Sequence, residues 1–139
     1  KNPFRDAADK EHLDGYEDMH NAPDEVQEKV HAWCVEHQKP YGARSIIRRE
    51  MSDVYPRLNP APHLDFVYID ADHSLEGIRR DIKNWAPLVR AGGVVSGHDY
   101  SMADVKTAVD EWCAAEGLKV NVATEDWASW MVLKPDEAA

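Results

Sequence analysis

Cysteine is scarce, with only Cys34 and Cys113 among 139 residues. Each falls inside a helical apolar pattern, so both read as reduced thiols of an intracellular protein, and a disulfide-built scaffold is excluded. No apolar run approaches the roughly 18 residues that a membrane-crossing helix requires. No signal-peptide pattern is visible either, so we expect a soluble, cytoplasmic protein. Positive charge is in deficit: 16 Lys and Arg face 26 Asp and Glu, a formal charge of −10. That balance argues against a nucleic-acid backbone or an anionic membrane as partner. Internal repeats and low-complexity tracts are missing as well. What is present is 43% hydrophobic content, enough for one domain with a modest core. The fitting partners are a neutral or cationic small molecule, or a metal ion held by carboxylates.

Residues 1–22 are polar and irregular, with a short helix expected around Asp9 to Tyr16. The α/β pattern fills residues 23–139. Pro23 and Asp24 suit the first turn of a helix, proline through its fixed φ and the acid through the helix dipole. Val26, Val30, Trp33, Cys34 and His37 recur at helical spacing and mark its buried face. Pro40 and Gly42 end it. Ile46-Ile47 between arginines predicts a short strand over 43–49, and Val54 to Leu58 a helical turn cut short by Asn59-Pro60-Ala61-Pro62.

Residues Leu64 to Tyr100 form the centre of the pattern. Asp65 to Ile69 is almost continuously apolar, as befits a strand covered on both faces. Ser74 is a candidate N-cap, and Leu75, Ile78, Ile82, Trp85, Leu88 and Val89 form the inward stripe of the next helix. Gly92-Gly93 turns the chain into a second strand, Gly93 to Ser96. A helix between two short apolar strands implies a right-handed parallel crossover. Beyond it, Ser101 and Asp104 suit a helix-start box, and Val105, Ala108, Val109, Trp112 and Cys113 keep helical spacing up to Gly117. Lys119 to Ala123 and Trp127 to Leu133 are expected to pair as an antiparallel hairpin.

In an open parallel sheet, ligands sit beyond the carboxyl ends of the strands. Here those ends carry Asp70-Ala71-Asp72-His73 and Gly97-His98-Asp99-Tyr100. Asp70, His98 and Asp99 can converge on a divalent cation. Carboxylates suit magnesium or calcium, and an imidazole tilts the choice toward manganese, iron or zinc. Asp72 and His73, one step further out, can take a proton from a substrate hydroxyl. The plainer alternative is that these groups cap helices and satisfy loop amides. His12, His20, His31, His37 and His63 receive no role. The tryptophans read as core, except that Trp127 and Trp130, three apart in a strand, leave one free for a ligand wall. Cys113 lies on an apolar helical face without a nearby base, which argues against a nucleophile.

The stretch Leu64-Asp65-Phe66-Val67-Tyr68-Ile69-Asp70-Ala71-Asp72-His73-Ser74-Leu75-Glu76-Gly77 resembles the fourth strand of class I S-adenosylmethionine-dependent methyltransferases. The subgroup it resembles carries FIDADHSYEG and then LKPGGVIAGHDY, matched here by Leu88 to Tyr100. The helix from Val105 to Trp112 resembles the family's GVKRAVDEF segment. The resemblance covers about Ala43 to Leu133, and it implies a Rossmann-like sheet with a C-terminal antiparallel hairpin. It implies methyl transfer from S-adenosylmethionine to an oxygen of a small-molecule acceptor. By comparison with the metal-dependent O-methyltransferases, it implies Asp70, His98 and Asp99 as ligands of a magnesium or manganese ion. Those enzymes carry Asp-Asp or Asp-Asn where this chain has His98-Asp99. Asp72 and His73 fall at the positions of the family's bases. Met51 and Ser52 fall where the family contacts the adenine ring of the cofactor, and Asp70 is expected to bind the cofactor as well.

The family's glycine-rich first motif has no counterpart, since Gly15 and Gly42 are isolated. The chain therefore resembles a methyltransferase domain entered after its second strand. A longer gene product, a natural remnant and a partner chain that supplies the missing strands all fit. Weak cofactor binding or none is expected in each case. In the family's sheet the Phe66 strand lies beside the first strand, so its edge is expected to be open and to pair with a second copy or a partner chain. Two other functions stay open: a non-catalytic scaffold for oligomer formation, and metal-dependent hydrolysis or hydroxylation at the same edge.

Overall fold

In the computed structural model, which describes residues 23–136, the chain divides into two units, Lys1–Arg49 and Glu50–Ala139. The expected helix around Asp9 to Tyr16 lies outside the described residues. In the first unit, helix α1 (Asp24–Gln38) starts after Pro23 with Asp24 and Glu25 in its first turn. Only Val26 is buried on it, although Val30, Trp33 and Cys34 are half-buried. His37 is exposed, and its ring stacks on Trp33 with centroids 3.7 Å apart. A 3₁₀ turn, Lys39–Arg44, follows, and Gly42 takes φ +55° inside it.

The strand expected over 43–49 does not form; residues 45–49 run without regular structure. Ile46 is 71% exposed. Isoleucines favour a pleated surface, but a strand exists only where a neighbour takes up its backbone groups.

The second unit holds the sheet. A short helix α2 (Val54–Leu58) leads to strand β1 (Leu64–Ile69), helix α3 (Leu75–Trp85) and strand β2 (Val89–Gly97). Helix α4 (Ala103–Glu116) and the short strands β3 (Val120–Val122) and β4 (Trp130–Leu133) complete it. The sheet order is β1-β2-β4-β3, with β1 and β2 parallel and both pairs involving β4 antiparallel. Ser74 caps α3 as its sequence suggests, its Oγ accepting from the Gly77 amide at 3.1 Å. Gly117 ends α4 in the left-handed conformation, φ +65°. At the other end of α4, Met102 holds the N-cap position without a side-chain cap.

The core lies on one face of the sheet. Ile69, Val95, Trp130 and Val132 pack there against Ile78 and Ile82 of α3 and Val105, Ala108, Val109 and Cys113 of α4. The opposite face is apolar and uncovered within this unit. It carries Phe66, Tyr68, Met131 and Leu133, which are 56%, 45%, 46% and 60% exposed. Phe66 and Tyr68 stack with ring centroids 6.4 Å apart. β1 is an edge strand of this sheet.

The last strand is shorter than expected. Trp127 has φ +58° and stands 62% exposed in the loop before β4, whereas Trp130 is 1% exposed in the core. A positive φ breaks extended backbone, so Trp127 and Trp130 do not share a strand.

A candidate cation and cofactor edge

The register Ile69↔Gly97 brings the ends of β1 and β2 level. The His98 amide continues the pairing by donating to the Ile69 carbonyl at 3.1 Å. Asp70 and His98 are therefore the first residues beyond the sheet, side by side. Asp99 follows with φ +58°. That left-handed conformation is uncommon away from glycine and is best tolerated by Asn and Asp. It coincides with a carboxylate that is only 8% exposed. Met102 N–H to Asp99 O, and Tyr100 N–H to Ala128 O, both at 2.9 Å, hold the turn.

Three side chains converge here. His73 Nε2 lies 3.3 Å from Asp70 Oδ1 and 3.0 Å from Asp99 Oδ2. One donor atom from each of Asp70, His73 and Asp99 falls within 4.8 Å of the other two. His98 touches the group from outside, its Nδ1 3.2 Å from Asp99 Oδ2. The structure thus joins Asp70 and Asp99 with His73, while His98 stands beside that cluster. Two oxygens and one imidazole nitrogen form a donor set that fits magnesium or manganese, with imidazole favouring manganese of the two. The same nitrogen can instead carry a proton shared with the carboxylates. The two uses exclude each other, because a nitrogen that ligates a metal has no hydrogen to give.

Asp72 points elsewhere. Its Oδ1 accepts the Ser74 amide at 3.0 Å, and its Oδ2 lies 3.4 Å from Arg80 Nη2. The Ser74 amide, the Ser74 hydroxyl and then Arg80 hold its carboxyl below the usual carboxylate range. A carboxylate stabilised in this way is a weaker base.

On the other side of Asp70, a cleft of about 260 Å³ is lined by Ser52, Val67, Tyr68, Ile69, Asp70, Ala71, Asp81 and Trp85. Ser52 donates to Asp81 Oδ1 at 2.8 Å. Met51 does not line this cleft and is 71% exposed. Asp81 is the residue that sequence reasoning passed over. It is 2% exposed, in the turn of α3 between Ile78 and Ile82. The signal was there: an acid set within an apolar helical stripe must find a polar partner. A larger groove, about 640 Å³, lies between α3 and α4 and shares no residue with the strand-end cluster. Burial, with Asp110 adding to it, pushes the Cys113 thiol up, which leaves it poorly suited to nucleophilic attack.

The edge lies on a parallel β–α–β unit continued by an antiparallel hairpin. The model of the methyltransferase domain family matches residues 5–100, more than half of the chain, and the chain is a member of that family. Its fold is shared with a protein from Corynebacterium glutamicum: 20% identity, TM-score 0.59, covering 84% of this chain and 59% of the other. A Staphylococcus aureus protein provisionally assigned as a caffeoyl-CoA O-methyltransferase is similar at 16% identity and TM-score 0.57, over 77% and 60% of the two chains. The O-methyltransferase NovP shares 29% identity over 52% of this chain and 30% of its own, with TM-score 0.45. The present chain therefore spans less than two thirds of each of these proteins. No curated protein matches it. Membership of the family implies S-adenosylmethionine as methyl donor. Among the described residues, no helix is long and apolar enough to cross a membrane.

Proposed function

We propose that this chain carries the acceptor and cation side of an O-methyltransferase acting on a small molecule. The observation that supports the reading is the convergence of Asp70, His73 and Asp99 beyond two paired strand ends. Asp70 and Asp99 would hold a magnesium or manganese ion, with His73 Nε2 as third donor. A bound cation would lower the pKa of an acceptor hydroxyl placed against it. The protein's own contribution is placement: the β1–β2 register and the left-handed turn at Asp99 fix the two carboxylates before any ligand arrives. His98, with Nδ1 3.2 Å from Asp99 Oδ2, would orient that carboxylate. Transfer would form the oxygen–methyl bond as the sulfur–methyl bond breaks, in line, with the acceptor's proton leaving to solvent or a nearby base.

Manganese titration followed by electron paramagnetic resonance tests the reading. Loss of the free-ion signal at a stoichiometry of one supports it. An undiminished free-ion signal overturns the cation, and leaves the second reading that the distances favour. In that reading His73, hydrogen-bonded to Asp99 and Asp70, takes the acceptor's proton without a metal.

The cofactor would reach this edge past Ser52, with Met51 nearby. A cleft of about 260 Å³ takes a ring but not a whole S-adenosylmethionine. The chain therefore binds S-adenosylhomocysteine weakly or not at all by itself, and micromolar affinity in calorimetry would overturn this point. The uncovered face of β1, β2 and β4 supports a second copy or a partner chain as the neighbour that completes the sheet.

A further inference from the structure

We propose that the groove between α3 and α4 is a second binding site, one that takes a flat aromatic ring system bearing a single carboxylate. The proposal stands apart from the methyl-transfer reading, since the groove shares no residue with the strand-end cluster or with the cleft beside it.

Size and lining come first. The groove's volume of about 640 Å³ falls within the range of small-molecule sites, roughly 300–1,000 Å³. Ile82 and Ala108, both buried, give it an apolar lining. Trp112 lines it as well and is half-buried. Among the described residues no other ring packs on that indole. An aromatic side chain without a ring neighbour suits a flat partner in offset stacking.

Charge decides what else the ligand carries. Five charged side chains line the groove: Arg79, Lys83, Lys134, Glu111 and Glu116. Arg79 grips Glu111 through Nε and Nη2 at 2.8 to 3.0 Å, so that carboxylate is spent. Arg79 also holds Glu76, which does not line the groove, at 2.7 Å. Lys83, Lys134 and Glu116 remain, a net positive lining in a chain that carries −10 overall.

Lys134 is the fixed cation of the three. Its backbone N–H donates to the Gly93 carbonyl at 2.9 Å. Its Nζ donates to the carbonyls of Val89 and Ala86 at 2.6 and 3.2 Å. An ammonium has three N–H bonds, so one remains. The two carbonyls hold the ammonium in place but carry no net charge, and among the described residues no carboxylate pairs with it. A ligand carboxylate would take the third N–H. The side chain is already ordered, so binding costs little further rotamer entropy. Capping the turn Ala86–Leu88 accounts for where Lys134 sits. It demands neither an indole without a ring neighbour in the same groove nor a lining of reversed sign.

The test uses the intact chain, isotope-labelled and at neutral pH, with naphthoate, naphthamide and naphthylmethylammonium as probes in chemical-shift titrations. The three share a ring system and differ in charge. Naphthoate is expected to bind about five- to tenfold more tightly than the amide, the scale of one charge-assisted hydrogen bond, and the ammonium probe most weakly. Shifts should centre on the Trp112 indole N–H, assigned from Trp112→Phe, and on amides of α3 and α4. Lys134→Met keeps the apolar stem and removes the charge, and the preference for naphthoate falls to parity; Lys134→Arg restores it. Salt at about 1 M shrinks the same preference without any variant, and it decides the matter should Lys134→Met fail to fold. A lysine that only caps the turn would change stability and leave the order of the probes alone. Equal binding of naphthoate and naphthamide by the unmodified chain overturns the proposal. So do shifts confined to the uncovered face of the sheet, and so does the absence of any shift.

Discussion

His73 Nε2 stands 3.0 Å from Asp99 Oδ2 and 3.3 Å from Asp70 Oδ1, between two carboxylates that different strands deliver. Either a proton or a metal ion can occupy that point, and substitution separates the residues that hold it from those that stand by. Asp70→Asn and Asp99→Asn each remove a charged donor, and each is expected to weaken manganese binding by at least about tenfold, the scale on which outer partners as well as ligands act. Asn tolerates the left-handed conformation of residue 99, so Asp99→Asn tests charge rather than backbone. His98→Ala is expected to weaken binding less than either, since His98 contacts Asp99 without joining the cluster. A His98 variant that loses more affinity than the Asp70 variant would reassign the third donor.

The bare face of the sheet makes a prediction about association. Phe66 and Leu133 are 56% and 60% exposed, on either side of β2 at the paired positions Phe66↔Val94 and Val94↔Leu133. Together with an edge strand, such a patch pairs or aggregates. The chain is expected to self-associate at tens of micromolar or above in sedimentation velocity, in the range where exposed apolar faces act. Phe66→Lys is expected to shift it toward monomer. A monomer across the whole range in the unmodified chain would sink this expectation.

The strand–helix–strand centre was legible because its signals are local. A continuous apolar run, a capping Ser74 and a helical stripe each act within one element. The site was legible as an edge for the same reason: Asp70 and His98 are where two runs stop. Its membership was not. His98 and Asp99 are consecutive, so spacing pairs them as ligands, yet His98 only touches Asp99 while His73 reaches both Asp99 and Asp70. His73 comes to that point from the loop after β1, and no periodicity encodes the approach. The Ile46-Ile47 strand failed for the opposite reason, since propensity was present and a neighbour was not. Trp127 fell outside its strand through a single positive φ, which no side-chain pattern announces. Asp81 interrupts the apolar stripe of α3, and a stripe defined by its apolar members does not show that an acid is buried within it.

Next to the site, Tyr100 ties its loop to α4. Its hydroxyl donates to Asp110 Oδ1 at 2.5 Å, and Lys106 reaches both Asp110 and the Tyr100 oxygen. Lys106 first, and then Tyr100, hold the Asp110 carboxyl below its ordinary 3.8. Burial first, and then Asp110, raise the Tyr100 hydroxyl above its ordinary 10.0. A lowered acid stabilises the fold above its unfolded value, and that stability is lost as pH falls through the folded one. A raised phenol stabilises the fold below its unfolded value, and that stability is lost as pH rises through the folded one. The cluster is therefore fully effective between about pH 4 and 10. Asp110→Asn is expected to lower the melting temperature at pH 7 by about 2–5 °C. Thermal scans should show that gap closing toward pH 3; a gap that persists there would mean that the cluster does not hold the loop by charge.

Gly97 is where the core and the site meet, and it offers the sharpest test of the register. It pairs with Ile69 on one side and Trp130 on the other, at the last position before His98. A Cβ built on Gly97 would sit 2.7 Å from Trp130 Cζ2 and against the Ile69 carbonyl. Trp130 is 1% exposed and has no room to withdraw. The conflict in Gly97→Ala is one of space rather than of dihedral angles, so the strands must part or the indole must leave its rotamer. Overpacking of this kind costs about 1–3 kcal/mol. Urea unfolding should show a loss of that size. Because the strain falls at the point that aligns Asp70 with His98, manganese affinity should drop in the same variant. Unchanged stability would mean that β1 and β2 do not lie in the register described. Lowered stability with unchanged affinity would mean that the carboxylates are held by their loops rather than by the strand ends.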